Sequence, residues 1–321
     1  MSDLLALALA AARAGGDAIL GYYGRPITVD AKADDSPLTQ ADLAAHRTIV
    51  SALASSGIPV LSEESPADEV AARKTWTRFW CVDPLDGTKE FIKGAPKAEG
   101  DPPPSNSGDF TVNIALIEDG APVLGVVHVP VHGVTYFAAS GEAWKQSGDD
   151  APVRISTRPA PADALTVVAS KDHAGPEVAA IIERVEAEGR SVESASMGSS
   201  LKFCLVAEGA ADLYPRTVPT FEWDTAAAQA VVEAAGGGVS TRDVDRLTYN
   251  KDDLRNPSVF AWTESFTTPS KSQNTTSARS SNPRIPSPSL NWSDPSVGQG
   301  RTCRTCGSQV LDDLEQACVL A

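Results

Sequence analysis

Two acids, Asp83 and Asp86, flank Pro84 and Leu85 in the stretch Trp80-Cys81-Val82-Asp83-Pro84-Leu85-Asp86-Gly87-Thr88-Lys89-Glu90-Phe91. Clustered carboxylate oxygens are what hard cations such as Mg2+ require. A helix opening at Gly87 and Thr88 would add unpaired backbone N–H groups, which suit a phosphate. An Asp-Pro-x-Asp-Gly run is equally an ordinary turn, because these residue types favour turns. Two further stretches shift the balance toward chemistry. Val60-Leu61-Ser62-Glu63-Glu64-Ser65 ends a short apolar run on paired acids, and Phe221-Glu222-Trp223-Asp224-Thr225-Ala226-Ala227-Ala228 opens an alanine-rich segment that closes at Gly236-Gly237-Gly238. Acids at the ends of three elements form the donor set of a metal-assisted phosphoryl hydrolase, in which ions clamp the attacking and leaving oxygens.

These acids need elements to carry them. The apolar run Phe79–Val82 predicts a buried strand ending on Asp83, where Pro84 stops sheet pairing. Residues 1–24 predict a first helix, and a second helical pattern runs from Leu43 to Leu53. Thr39 is placed to cap that second helix, putting Asp42 in its first turn. Asp42 can be read there as a simple capping acid or as a functional one. Strands are predicted over Phe110–Leu116, Val123–Val129 and Val134–Ala138, with another after the Gly141 turn. A second unit begins near Ala151. It holds a strand from Val167 into Ser170-Lys171-Asp172-His173, a helix from Pro176 to Glu188, a Gly198-Ser199-Ser200 turn opening a helix through Lys202, and a returning strand at Ala211–Arg216. Helix and sheet alternate, so the fold class is α/β, with helices packed on sheets. The expected organisation is 1–150 as an N-terminal subdomain, 151–264 as a C-terminal one completing the site, and 265–321 as a tail.

Composition narrows the partners. With 27 basic and 42 acidic residues the formal charge is −15, which argues against nucleic-acid binding. An acidic chain that takes an anionic substrate must overcome repulsion locally, which again points to cations. The hydrophobic fraction of 42% supports an ordinary core, and no apolar stretch is as long as a membrane span. The start lacks a basic region before its apolar residues, so a cytoplasmic location is expected instead of secretion. Cys81 and Cys204 lie in apolar runs and read as small core residues. Gly94–Gly108 is a Gly-, Pro- and Ser-rich insertion beside the Asp83–Glu90 stretch, readable as a lid or as a passive loop. Residues 265–300 are rich in Ser, Thr, Pro and Asn and are expected to be disordered. The single Cys303-Arg304-Thr305-Cys306 pair lacks the second pair of a zinc site. Cys318-Val319-Leu320-Ala321 matches a prenylation pattern that would give peripheral membrane association, but no polybasic stretch supports it.

Taken together, Leu61-Ser62-Glu63-Glu64, Asp83-Pro84-Leu85-Asp86-Gly87-Thr88 and Trp223-Asp224-Thr225-Ala226-Ala227 resemble the inositol monophosphatase superfamily. The stretches Asp83–Lys93, Phe110–Leu116, Gly198–Gly209 and Asp212–Arg216 are similar to its bacterial-type 3′(2′),5′-bisphosphate nucleotidase branch, and the similarity spans residues 4–262. This resemblance implies a layered α-β-α-β-α sandwich with the site between two subdomains. It implies removal of the 3′-phosphate of 3′-phosphoadenosine 5′-phosphate, with two or three Mg2+ ions required and Li+ inhibitory. By position, Glu63, Asp83, Asp86, Asp224 and the Leu85 carbonyl would be metal ligands. Asp42 and Thr88 would activate water, and the Gly87 and Thr88 amides would hold the scissile phosphate, with Glu63 beside it. Ser170, His173, Gly198 and Lys202 would bind the nucleotide, and Arg216 the second phosphate. The substrate partner is a small phosphate ester, and no protein partner is implied.

Two other functions compete. An inositol monophosphatase would use the same metals with a different pocket, and the Gly198–Lys202 turn with Arg216 discriminates against it. A non-catalytic metal-binding regulator would not need so complete a set of mutually repelling acids. The composition of the tail carries a prediction of its own. A chain shortened to end at Glu264 should keep the melting temperature and phosphate-releasing rate of the full chain. A large fall in either would show that the tail docks on the folded part.

Overall fold

The computed structural model describes residues 3–25, 29–31, 37–95, 108–169, 176–187 and 189–263. Ser170, His173, most of the 94–108 insertion, and the tail with its three cysteines lie outside the described residues. The first half of the chain runs α1 (Asp3–Leu20), β1 (Val29–Ala31), β2 (Pro37–Thr39), α2 (Gln40–Leu53), β3 (Val60–Ser62) and α3 (Ala67–Ala72). It continues with β4 (Arg78–Asp86), α4 (Thr88–Lys93), β5 (Thr111–Glu118), β6 (Ala121–Val129), β7 (Val134–Ala139), β8 (Glu142–Ser147) and β9 (Val153–Arg154). The second half contains β10 (Ala164–Ala169), α5 (Pro176–Ala187), β11 (Ser191–Ser196), α6 (Leu201–Ala207), β12 (Leu213–Arg216) and β13 (Thr220–Phe221). It closes with α7 (Glu222–Ala234), β14 (Gly238–Thr241), β15 (Arg255–Asn256) and β16 (Val259–Trp262).

Strands β3 to β9 form one seven-stranded sheet in chain order, antiparallel except for the parallel β3–β4 pair. A second sheet of five strands has the order β11-β10-β12-β16-β14. The two-residue period of a strand divides the core between the faces of the first sheet. Trp80, Val82, Ile114 and Val126 pack with Ala8, Ala12, Ala45 and Ile49 of α1 and α2. Phe79, Cys81, Ala115 and Val127 face the other way, toward Cys204 and Val206 of α6 and Ala227 and Val231 of α7. The same cluster takes in Val168, Tyr214, Val239 and Ala261 of the second sheet. On that sheet's far face, Leu165, Val167, Leu213 and Phe260 pack with Ile181 of α5. The layers are therefore α1/α2, sheet, α6/α7, sheet, α5, which is the expected five-layer α/β sandwich.

One expectation needs correction. The strand of the central motif does not end on Asp83; β4 continues through Pro84 to Asp86. Pairing with β5 slips there, since Asp83 stands opposite Asn113 and Asp86 opposite Thr111. Pro84 cannot donate a ladder bond, and the bulge absorbs it without terminating the strand. Both acids are thereby held at the end of one paired interior strand, not across a free turn. Helix α2 starts at Gln40, directly after its expected cap Thr39 and three residues before its apolar pattern begins.

Helix α7 is alanine-rich because it lies very close to the sheet. A Cβ placed on Gly125 of β6 would fall inside the van der Waals shell of the Ala227 carbonyl oxygen and 2.8 Å from Ala230 Cβ. Gly125 thus sets the distance between β6 and the helix that carries Asp224. Gly125→Val should lower unfolding free energy by roughly 1–3 kcal/mol through overpacking, measured by chemical denaturation. A variant as stable as the parent would show that this approach is not close in solution.

Candidate active site

The parallel register sets Ser62 beside Val82, so Glu63 and Asp83, the next residues on β3 and β4, come side by side. The Glu63 N–H donates to the Val82 carbonyl at 3.1 Å, and the two carboxyl groups share a hydrogen bond. Asp83 is 1% exposed, and its Oδ1 accepts the Leu85 N–H at 3.0 Å. Burial, then the charges of Glu63, Asp86 and Asp224, hold its carboxyl well above the usual carboxylate range. Asp224 is pushed up in the same way, by burial and then by Asp86 and Glu63. Glu63, Asp83, Asp86 and Asp224 are therefore gathered into one mutually repelling group.

Helix ends aim the remaining acids. Asp42 sits in the third position of α2, where its Oδ2 accepts the Thr39 N–H at 2.8 Å and the Thr39 hydroxyl at 2.5 Å. Its Oδ1 faces the Thr88 hydroxyl at 3.4 Å. That hydroxyl also lies 3.2 Å from the Leu85 carbonyl oxygen. One oxygen of the Asp42 carboxylate thus caps the helix while the other faces Thr88. Asp224 repeats the arrangement in α7, its Oδ2 accepting the Phe221 N–H at 2.8 Å. Gly87, between Asp86 and Thr88, has φ 90°, a conformation glycine adopts without penalty.

From the second half of the chain, the Gly198–Lys202 turn reaches Asp86. Ser200 donates to Asp86 Oδ2 from its backbone N–H and places its hydroxyl there too, each at 2.6 Å. Gly198 is required by proximity, since a Cβ there would stand 2.5 Å from the Asp109 carbonyl oxygen. Lys202 is 4% exposed; its Nζ lies 3.3 Å from the Met197 carbonyl and 5.4 Å from the centre of the Tyr214 ring. It has no ion pair among the described residues. Burial pushes its ammonium down to about 8, against the opposing pull of Asp86. The Arg216 Nε is buried with no hydrogen-bond partner.

Residues that sequence reasoning did not single out complete the surroundings. Asn113, opposite Asp83 on β5, reaches both Asp86 Oδ2 at 3.3 Å and the Ser200 hydroxyl at 2.9 Å. Glu222, fully buried beside the acid group, accepts from Asn250 N at 2.7 Å, Lys251 N at 2.9 Å and Lys251 Nζ at 2.8 Å. Its lone pairs are satisfied by the 250–251 loop, so it anchors the start of α7. Nothing in the segment Phe221-Glu222-Trp223-Asp224 distinguishes an anchoring acid from a site-facing one; only the partner loop does.

The family model described as the inositol monophosphatase family matches residues 1–276. The chain belongs to this family. Among curated relatives, the 3′(2′),5′-bisphosphate nucleotidases CysQ of Salmonella typhimurium and Escherichia coli K12 are each 46% identical over 252 residues, covering 77% of this chain and 94% of theirs. The crystal structure of CysQ from Bacteroides thetaiotaomicron, a bacterial member of the family, superposes with a TM-score of 0.68 at 42% identity, covering 81% of this chain and 97% of that one. A Thermotoga maritima IMPase shares the fold, with a TM-score of 0.62 at 22% identity over 82% of this chain and 93% of its own.

Proteins of the inositol monophosphatase family are metal-dependent, and the donor set here fits a hard divalent cation. The four acids supply only oxygens, and their repulsion is relieved by positive charge between them. The side-chain hydrogen bonds of Asp86 and Asp224 among the described residues all fall on Oδ2, which leaves Oδ1 of each for a cation. No three carboxylate, imidazole or thiol groups close into a single ligand cage among the described residues. Each of these two acids has instead turned one oxygen onto a protein donor. The crowding predicts a trade-off. In excess chelator, Asp83→Asn should melt at or above the parent, because it removes one buried charge and keeps the Leu85 acceptor. Saturating Mg2+ should raise the melting temperature of the parent and not of the variant. A variant far less stable than the parent in chelator would show that Asp83 is chiefly a structural acceptor.

Proposed function

We propose that the chain is a Mg2+-dependent 3′(2′),5′-bisphosphate nucleotidase that hydrolyses the 3′-phosphate of 3′-phosphoadenosine 5′-phosphate, giving AMP and phosphate. One observation carries this reading beyond the family. Lys202 is buried beside the acid group with the Met197 carbonyl as its Nζ acceptor, and the half-buried Arg216 keeps a buried Nε without an acceptor. A buried cation without an acidic partner is costly, and a bound anion removes that cost. The scissile phosphate belongs at the acids, so these cations suit a second phosphate, which a monophosphate ester lacks. The 46% identity to bisphosphate nucleotidases over most of the chain supports the same class.

In this reading Glu63, Asp83, Asp86, Asp224 and the Leu85 carbonyl hold two or three Mg2+ ions. The ions supply charge neutralisation at the phosphoryl group and acidify water at the site. The residues of the chain do the rest. The Thr88 hydroxyl has one proton and two acceptors in reach, Leu85 O and Asp42 Oδ1. With the Leu85 carbonyl engaged, the hydroxyl donates to Asp42 and keeps a lone pair for the proton of the attacking water. Asp42 is the final proton acceptor, and its Oδ2 contacts with Thr39 stop it from turning away. The bond from water oxygen to phosphorus forms as the bond to the ribose 3′-oxygen breaks, and that oxygen takes a proton from solvent. The Gly87 and Thr88 amides steady the scissile phosphate, with Gly198 on the nucleotide side. Ser170 and His173, assigned to the nucleotide by sequence position, are not described structurally.

A hydrogen bond from a charged donor contributes about 1.5–3 kcal/mol. Lys202→Ala should therefore cost roughly 10- to 150-fold in kcat/KM on the bisphosphate. The same change should barely alter activity on inositol monophosphate. The measurement is the ratio of kcat/KM for the two substrates before and after substitution. Preference of the parent for inositol monophosphate, or equal losses on both, would favour the inositol monophosphatase reading.

A further inference from the structure

Ser200 is 2% exposed and lies where three elements meet: the bulged end of β4, the middle of β5 and the first turn of α7. Its backbone N–H and hydroxyl both reach Asp86 Oδ2 at 2.6 Å. The hydroxyl oxygen is also 2.7 Å from the Asp224 carbonyl oxygen and receives the Asn113 side-chain amide at 2.9 Å. A hydroxyl has one proton and two lone pairs, so it donates to one acid's side chain or to the other's main chain. With the hydroxyl on the Asp224 carbonyl, the backbone N–H still holds Asp86, so one buried residue ties the side chain of Asp86 to the backbone of Asp224. Asn113 holds that hydroxyl from below and adds its own contact to Asp86 at 3.3 Å.

We infer that Ser200, supported by Asn113, is a positioning residue that locks Asp86 and Asp224 into mutual register, as two acids that would hold a cation require. This inference rests on the metal-dependent reading of the site. Two acids that repel each other separate unless something holds them; apart from Ser200, the Asp86 side chain bonds only Asn113 of β5 among the described residues, and the Asp224 side chain only its own helix cap. Asp224 is fixed to Phe221 of its own helix cap, and Asp86 follows the β4 bulge. Ser200 belongs to neither element, and so it is the group that sets their spacing. Partners that orient metal ligands change metal affinity more than they change folding.

The test measures Mg2+ binding to the full chain by calorimetry, alongside melting in excess chelator. Ser200→Ala should weaken Mg2+ binding roughly 10- to 100-fold, with a shift of only a few degrees in chelator. Asn113→Ala should move affinity the same way by a smaller factor, and it carries the test if Ser200→Ala does not fold. The double variant should bind little more weakly than Ser200→Ala alone, because both residues act through one contact. Affinity within about twofold of the parent in both single variants, with lowered melting in chelator, would make the hydroxyl merely structural and overturn the inference. A parent chain that binds no Mg2+ at all would overturn the metal-dependent reading, and this inference with it.

Discussion

Mutual repulsion among Glu63, Asp83, Asp86 and Asp224 is the constraint around which the rest of this molecule is arranged. Burial and the neighbouring acids raise the pKa of Asp83 and Asp224, and the crowded charges push their elements apart. The fold resists with rigid attachments at each acid. The parallel β3–β4 pair fixes Glu63 beside Asp83, the β4 bulge fixes Asp86, and the capped start of α7 fixes Asp224. Bringing α7 within reach requires a small-residue contact with the sheet, made by Gly125 under Ala227 and Ala230. In the proposed reading, relief of that repulsion is what would give a divalent cation its affinity.

Single carboxylates here carry two duties. Asp42 and Asp224 each use Oδ2 to satisfy the backbone at the start of a helix and keep Oδ1 for the site. Capping is therefore the means by which these side chains are aimed, and it does not compete with function. An acid whose rotamer is set by its own helix loses little further freedom when it binds a ligand.

Local charge opposes global charge. The chain carries a net −15, yet Lys202 and Arg216 stand in the second half of the site with vacant donor capacity. Burial lowers the Lys202 pKa to about 8, and an anion beside it would favour the charged form again. Substrate recognition would then depend on a few desolvated cations, without the long-range attraction of a basic surface.

Much of this was legible in the chain itself. The unbroken apolar run Phe79-Trp80-Cys81-Val82 determines a strand buried on both faces, and Thr39 with Asp42 announces a capped helix, because strand pattern and cap chemistry are local. The acid motifs were visible for the same reason: each lies within a few consecutive residues. What only the tertiary structure decided is what meets across large sequence separations. Asn113 carries no local mark of its contact with Ser200, and Glu222 cannot be told from Asp224 until the 250–251 loop takes up its lone pairs. Pro84 reads as a strand end, and only pairing with β5 shows that a bulge absorbs it. Periodicity and capping depend on neighbours along the backbone, whereas a shared hydrogen bond or a close helix–sheet approach depends on how layers are stacked, and that is a property of the whole fold.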